Sequence, residues 1–470
     1  MKKIRTRSGV SSAVAAVLLI VGLVVGAGVG YGITSGGKVT TTVTGAGVGS
    51  TVTVGGGGST VTIGGTTVTV SGGGGANLGT ITIGDMTDLT DGLSSIGIRI
   101  KASTEQAAVD INAWIQNTSW AGKVTFKVDS EDYAIDNTKA SSILNTWATQ
   151  GVSVFVGPEN SGTAGALLQA VNSNHIVMIS PSSTSHALAI SNDYLFRLAP
   201  TDDIQGKADA RMMYNNGVRG LIIVYRQDTY GSGLANYTAA NFKADGGQVL
   251  AQIPYDTTTT NFGPIVQTMQ TDWQSAIKQT GLNSSNVAFQ AISFGEFGPL
   301  VVSAQQNTPS ILNTTQPWYG SDGQEGDTTI TNSTHATAVE QVRLPSTVFG
   351  YTNSTKTAVL CAEILAATHN SCESYSINAY DGVWLAALSV LACGSNDGQC
   401  IQKILPSVAA NYYGVSGWTT LNAAGDRAAS DYQVWCVVKG TANSGAWNYC
   451  GSWTFLTDTF TWLPGQAPAV

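Results

Sequence analysis

The chain has 470 residues, enough for two or more domains with a sizeable core. Only 11% are charged, against about a quarter in an average globular protein, and the net charge is −8. No basic cluster lies beyond the N-terminus, which argues against a nucleic-acid partner. The histidines, His175, His186, His335 and His369, show no ligand spacing, so neither a metal nor a cofactor is expected.

The opening MKKIRTR carries Lys2, Lys3, Arg5 and Arg7, and no further charge appears until Lys38. Within that gap the apolar run Ala13 to Ile33 is long enough to cross a bilayer. Basic flanks stay in the cytoplasm, so the bulk of the chain is expected outside. Residues 1–34 therefore read as a signal or membrane-anchor segment, cleaved or retained. The lack of a nearby Cys removes a bacterial lipoprotein anchor. A basic stretch, then SGVSSAV, then a Gly-containing apolar run is similar to the pilin-like signals of archaeal surface proteins. In those, cleavage leaves the apolar run attached.

Residues 35–78 are low in complexity, with T-V-T-V runs between glycine blocks every eight or nine residues. Alternating Thr and Val suits strands, and glycine blocks suit turns or tether. Each run is too short for a stable isolated sheet, so a stalk is expected. A strand-forming assembly segment is the alternative.

From about Leu78, strand and helix patterns alternate. TITIGDM (80–86), KVTFKVDSED (123–132), VSVFVG (152–157), IVMISPS (176–182), GLIIVYR (220–226), QVLAQIPY (248–255) and VAFQAISF (287–294) read as strands. Helices are expected at 97–117, 137–150, after Gly162, near 204–216 and near 232–245. The first carries Ile98, Ala108, Ile111 and Trp114 as its apolar residues. This rhythm predicts parallel α/β sheets, and the strands are too many for one sheet, so two α/β lobes fit better.

Two features agree with an exterior location. Sequons occur at Asn117, Asn236, Asn283, Asn313, Asn332 and Asn353, each open to glycan attachment. The six cysteines, Cys361, Cys372, Cys393, Cys400, Cys436 and Cys450, suggest disulfides. Fifteen pairings can be drawn, and joining sequence neighbours is the simplest. The pair 436–450 has most support, because YQVWCVV and SWTF read as two strands of a hairpin.

The turn VGPENSGTA (156–164) follows a strand and opens a helix, a common way to hold an anion. It lacks the lysine of a nucleotide loop. Together with ITIGDMTDLTDGLSS, IVMISPSSTSHAL, YLFRLAPTDDIQGKA, DTYGSGL, PWYGSDG and the ending YYGVSGWTTLNAAGDRAASDYQVWCVV, it resembles the branched-chain amino-acid class of periplasmic-type substrate-binding proteins. The ordered motifs cover about 79–440; the low-complexity segment and the cysteines fall outside them.

The resemblance implies a two-lobed α/β fold with parallel sheets flanked by helices and a cleft between lobes joined by three crossovers. Lobe one would take 79–199 plus 348–405, and lobe two 200–347 plus 406–470. It implies that Ser161 and Gly162 meet a ligand carboxylate at the helix N-terminus, where a monoanion needs no lysine. Ser182 and Thr184 would form a second wall, Asp322 would pair the ligand ammonium, and Tyr230 would cover the ligand from lobe two. Ile96 stands where many relatives carry an aromatic, and Glu296 is placed near the cleft, where it would select a cationic or amide-bearing solute. No catalytic set is evident; His186 near Ser182–Ser185 is the one tempting pair. The expected function is extracellular capture of amino acids for an ABC permease and ATPase, with the membrane reached through the N-terminal segment. The alternatives are an amide- or urea-binding or ligand-sensing protein, or a pilin-like assembly subunit.

Overall fold

The computed structural model describes residues 77–468, apart from 313–317, 429–430 and 442, and the backbone of five strands between residues 29 and 70. Of the expected signal or anchor segment, residues 1–28 lie outside the described residues, as does the Asn313 sequon.

The low-complexity repeats pair with one another. Strands β1 (Val29–Ile33), β2 (Val39–Gly45), β3 (Val48–Gly55), β4 (Gly58–Ile63) and β5 (Thr66–Val70) form one antiparallel sheet in sequence order. The register sets Thr40 opposite Thr53 and Thr60 opposite Thr69. Each run is too short to stand alone, as the sequence suggested, but five share one ladder, which is what isolated pairs lack. The first strand also takes the last five residues of the apolar run.

The first α/β sheet is built from β6 (Gly79–Thr87), β7 (Val124–Asp132), β8 (Val154–Val156), β9 (Val177–Ser180) and β10 (Leu195–Arg197). Its order is β10-β9-β8-β6-β7, with all neighbours parallel. Helices α1 (Ser94–Ile115), α2 (Asn137–Gln150) and α3 (Ser161–Asn174) connect the strands. Val154, Phe155 and Val156 are all fully buried, as expected for a sheet covered on both faces. The buried stripe of α1 is Ile96, Ile100, Ala107, Ile111 and Ile115. Ile98, expected on that stripe, is 42% exposed: the helix begins three residues earlier, and the stripe passes beside it. Gly97 is required, since a Cβ there would sit 1.7 Å from the Asp88 carbonyl oxygen.

The second sheet has the order β12-β11-β13-β14 and is again parallel. Its strands are β11 (Gly220–Arg226), β12 (Gln248–Tyr255), β13 (Val287–Ile292) and β14 (Trp318–Tyr319). Helices α4 (Asp202–Asn215), α5 (Thr229–Ala244), α6 (Gly263–Thr280), α7 (Phe297–Asn307) and α8 (Ala336–Val342) accompany them. After β15 (Ser346–Phe349) the chain returns to the first sheet through α9 (Thr355–Thr368), α10 (Ser374–Cys393) and α11 (Gly398–Ala410). Helix α10 packs on α1, and its Gly382 lies over Val156 and Ile179.

The tail forms a small hairpin, β16 (Tyr413–Gly414) and β17 (Gly417–Trp418), and then β18 (Tyr432–Lys439), β19 (Gly445–Thr454) and β20 (Thr459–Trp462). These last three join β15 in an antiparallel sheet of order β15-β18-β19-β20 that packs against α4 and α8. The three disulfides are Cys361–Cys372, Cys393–Cys400 and Cys436–Cys450. Sequence neighbours therefore do pair, and the last bond bridges the β18–β19 hairpin.

The crossovers are bound side by side. Arg197 on β10 sits in a parallel bridge with Asp426, and its Nε lies 2.6 Å from that carboxylate with both side chains buried. Nη1 of Arg197 also donates to the Ser185 carbonyl at 2.6 Å. This ties the first crossover, the last crossover and the loop after β9 to one guanidinium.

Candidate functional site

The carboxyl ends of both sheets face a shared cleft, the place where open α/β sheets hold ligands. Within it is a cavity of about 20 Å³, room for one or two waters. Ser161, Ser182, Tyr230 and Asp322 all line it. Four of the seven predicted site residues are therefore brought to one point from four separate segments.

Ser161 opens α3, and Asn160 caps the helix by accepting from the Thr163 N–H at 2.7 Å. The Ser161 hydroxyl accepts from the N–H groups of Thr184 (3.2 Å) and Ser185 (3.1 Å). The turn without a lysine is thus locked to the SPSST loop, with its free helix N–H groups facing the cavity end of α3. Ser182 donates to the Glu159 carbonyl at 3.0 Å.

Three side chains donate to Asp322, and the Asp202 carboxyl lies near it. The Tyr230 hydroxyl donates to Oδ1 at 2.6 Å, Gln205 Nε2 donates to the same oxygen at 2.9 Å, and the Tyr375 hydroxyl donates to Oδ2 at 2.5 Å. Burial nevertheless raises its pKa. The Tyr230 ring stacks on Phe294 with centroids 5.4 Å apart. Tyr375 comes from α10, so this hydrogen bond reaches across the cleft.

The structure moves three predicted residues away from the cavity. Gly162 follows Ser161 on α3 but is absent from the lining. Thr184 lies behind Ser161, where its carbonyl accepts from the Asp202 N–H at 2.9 Å. The Thr184 hydroxyl faces the Asp202 carboxyl, and these buried oxygens have no hydrogen bond of ordinary geometry among the described residues. Glu296 lies at the cleft beside Gly92 but outside the cavity lining. Its Oε1 accepts from Arg226 Nη1 at 2.8 Å and from the Tyr255 hydroxyl at 2.9 Å, outside the cavity. Arg226 in turn lies 3.6 Å over the Phe294 ring. A strand end locates a side chain near a cleft but does not aim it, and a neighbouring arginine captured this one. Glu296 therefore supports the Phe294–Tyr230 stack at a distance. His186 bonds Asp203 at 3.1 Å and none of the nearby serines.

Four residues were missed. Tyr375, Gln205, Asp202 and Glu159 surround the site, and only Tyr375 lay outside the quoted motifs: Glu159 falls in VGPENSGTA, and Asp202 and Gln205 in YLFRLAPTDDIQGKA. Burial is the main cause of an upward pKa at Glu159, to about 8, and at Asp202, where the Asp322 charge adds to it. Asp209 is likewise pushed to about 8 by burial, although Thr347 and Gln290 donate to it.

These raised values fix a pH dependence. Each such acid keeps its proton in the fold at a pH where the unfolded chain has released it. The folded state then binds more protons, and stability falls as pH rises from about 4.5 to about 8. The ligand-free protein is expected to melt at a higher temperature at pH 5 than at pH 8, read by calorimetry across that range. A melting temperature that rises over the same interval would contradict it.

Cross-lobe contacts close the cleft. The Gly295 N–H donates to the Gly92 carbonyl (3.1 Å), the Ser95 and Thr328 hydroxyls meet at 2.9 Å, and Arg99 Nη2 donates to the Gly326 carbonyl (2.9 Å). With so little space left, a solute enters only when the lobes part.

Two sheet-based lobes closing over a cleft at their carboxyl ends are the architecture of a solute-binding protein. Residues 80–442 match the family model described as periplasmic binding protein, and the chain belongs to that family. It is 28% identical over 406 residues to an uncharacterised protein of Methanocaldococcus jannaschii, covering 83% of this chain and 93% of that one. It is 24% identical to a Leu/Ile/Val-binding protein homologue of Brucella abortus, over 80% of this chain and 95% of that one. Among solved structures, a leucine-binding protein of Thermotoga maritima superposes with a TM-score of 0.66 at 18% identity, covering 78% of this chain and 97% of the other. A solute-binding protein of Rhodopseudomonas palustris in complex with 3,4-dihydroxybenzoic acid gives 0.64 at 14%, covering 81% and 98%. These likenesses establish the two-lobed fold. Members of the family bind small molecules outside the cytoplasm and work with ABC permeases.

Proposed function

We propose that this chain captures a small amino acid outside the cell and delivers it to an ABC importer, without catalysing a reaction. The observation that carries the reading is the convergence of Ser161, Ser182, Tyr230 and Asp322 on one cavity. It offers the two opposite devices that a zwitterion needs. The N-terminus of α3 suits the α-carboxylate. Asp322, with Thr184 and Asp202 behind it, suits the ammonium. In the closed cleft Tyr230 and Tyr375 donate to Asp322, and an incoming ammonium takes over part of their role.

Segments 79–199 and 348–405 act as one lobe and 200–347 with the tail as the other, moving about the crossovers held by Arg197. The basic N-terminus and the apolar run after it would keep the protein on the outer face of the membrane.

A thermal-shift screen of the full chain against amino acids, urea, acetamide and 3,4-dihydroxybenzoate tests this reading. At 100 times Kd the bound solute adds about 2.7 kcal/mol to stability, a clear rise in melting temperature. At least one amino acid is expected to give it. A shift with none of them, or with the benzoate alone, would overturn the amino-acid assignment.

A further inference from the structure

Glu159 lines the cavity but belongs to neither pole of the zwitterion site. Its Oε1 accepts from the Asp88 N–H at 2.9 Å and from the Thr87 hydroxyl, which fixes the side chain at the carboxyl end of β6. Its Oε2 makes no hydrogen bond among the described residues, although the residue is only 3% exposed. The Tyr133 hydroxyl lies beside the carboxyl and accepts from the Asn160 amide at 2.8 Å. Leu93 and Ile96 at the start of α1, and Phe294 from lobe two, are the apolar part of the same lining. No Lys or Arg lines the cavity.

An unpaired buried oxygen is unfavourable. A branched apolar side chain on the solute would leave it unpaired, and a nitrogen donor would satisfy it. We propose that Glu159 selects an amino acid whose side chain ends in an N–H donor, an amide or an ammonium, received by Oε2 beside Leu93 and Ile96. The inference rests on the amino-acid reading above and gives Glu159 the selecting role that the sequence had assigned to Glu296.

Calorimetric titration of the full chain with leucine, glutamine and lysine tests it, at about pH 8.5, where the Glu159 carboxyl is ionised. Glutamine or lysine is expected to bind at least about tenfold more tightly than leucine, because a site built to hydrogen-bond rejects an analogue lacking the group. The tighter of the two identifies the donor as amide or ammonium. Glu159→Leu is expected to abolish or reverse that preference. Glu159→Gln keeps the shape and guards against misfolding; it is expected to weaken lysine more than glutamine. Leucine binding as tightly as both others, or both variants weakening all three ligands alike, overturns the inference and leaves the amino-acid reading standing. Failure of all three to bind, with no shift by any other amino acid, overturns the amino-acid reading itself.

Discussion

Asp322→Ala is expected to weaken amino-acid binding by about 2–5 kcal/mol, roughly thirty- to several-thousand-fold in Kd. Asp322 is 3% exposed and is the acceptor for Tyr230, Gln205 and Tyr375. Removing it leaves a buried ammonium without a counter-charge and three donors without an acceptor, which is why the loss exceeds that of one ordinary hydrogen bond. Asp322→Asn keeps the shape and loses the charge, so its binding should fall between the wild type and alanine. Calorimetric titration with the amino acid found by the screen gives Kd, and a melting curve without ligand gives the folding effect separately. Because Tyr375 reaches Asp322 across the cleft, some stability is also expected to be lost without ligand. Affinity retained within about threefold in Asp322→Ala would place the ammonium elsewhere, with Asp202 the next residue to change.

Arg197→Met is expected to destabilise the fold by about 3–5 kcal/mol, the usual result of breaking a buried ion pair from one side. Arg197 is fully buried, and its departure strands Asp426 with no other cation bonded to it. The Ser185 carbonyl would lose its donor as well, which loosens the loop that holds Ser161. Denaturant unfolding with an unchanged slope and a lowered midpoint measures the effect. The paired change Arg197→Met with Asp426→Leu should recover much of the loss, since replacing both partners by apolar groups is often near neutral. A single variant within about 1 kcal/mol of the wild type would mean that the crossovers are held by packing alone.

Much of this arrangement was legible in the chain. The alternation of strand and helix patterns after Leu78 is a local signal, because a strand read two residues at a time and a helix read over a turn need no distant partner. The pairing of neighbouring cysteines is also local, since short loops bring those residues together. The turn GPENSG was identifiable as a helix start from its spacing, and Tyr230 and Asp322 as cleft residues from the motifs that surround them.

Direction was not legible. Glu296 reaches the cleft but not the cavity lining, because an acid at a strand end can turn either way and Arg226, seventy positions earlier, holds it. Thr184 was located correctly in its loop, but its hydroxyl faces Asp202 instead of the cavity.

The sequence alone determined many of the strand and helix segments, made neighbouring cysteines the simplest pairs, and marked the turn that opens a helix, because each depends on residues a few positions apart. The tertiary structure alone decided that Tyr375 completes Asp322 across the cleft, that Arg197 binds two crossovers, and that Glu159 lines the cavity. Each of these depends on burial and on partners tens to hundreds of residues away, brought within hydrogen-bond reach only when two lobes close.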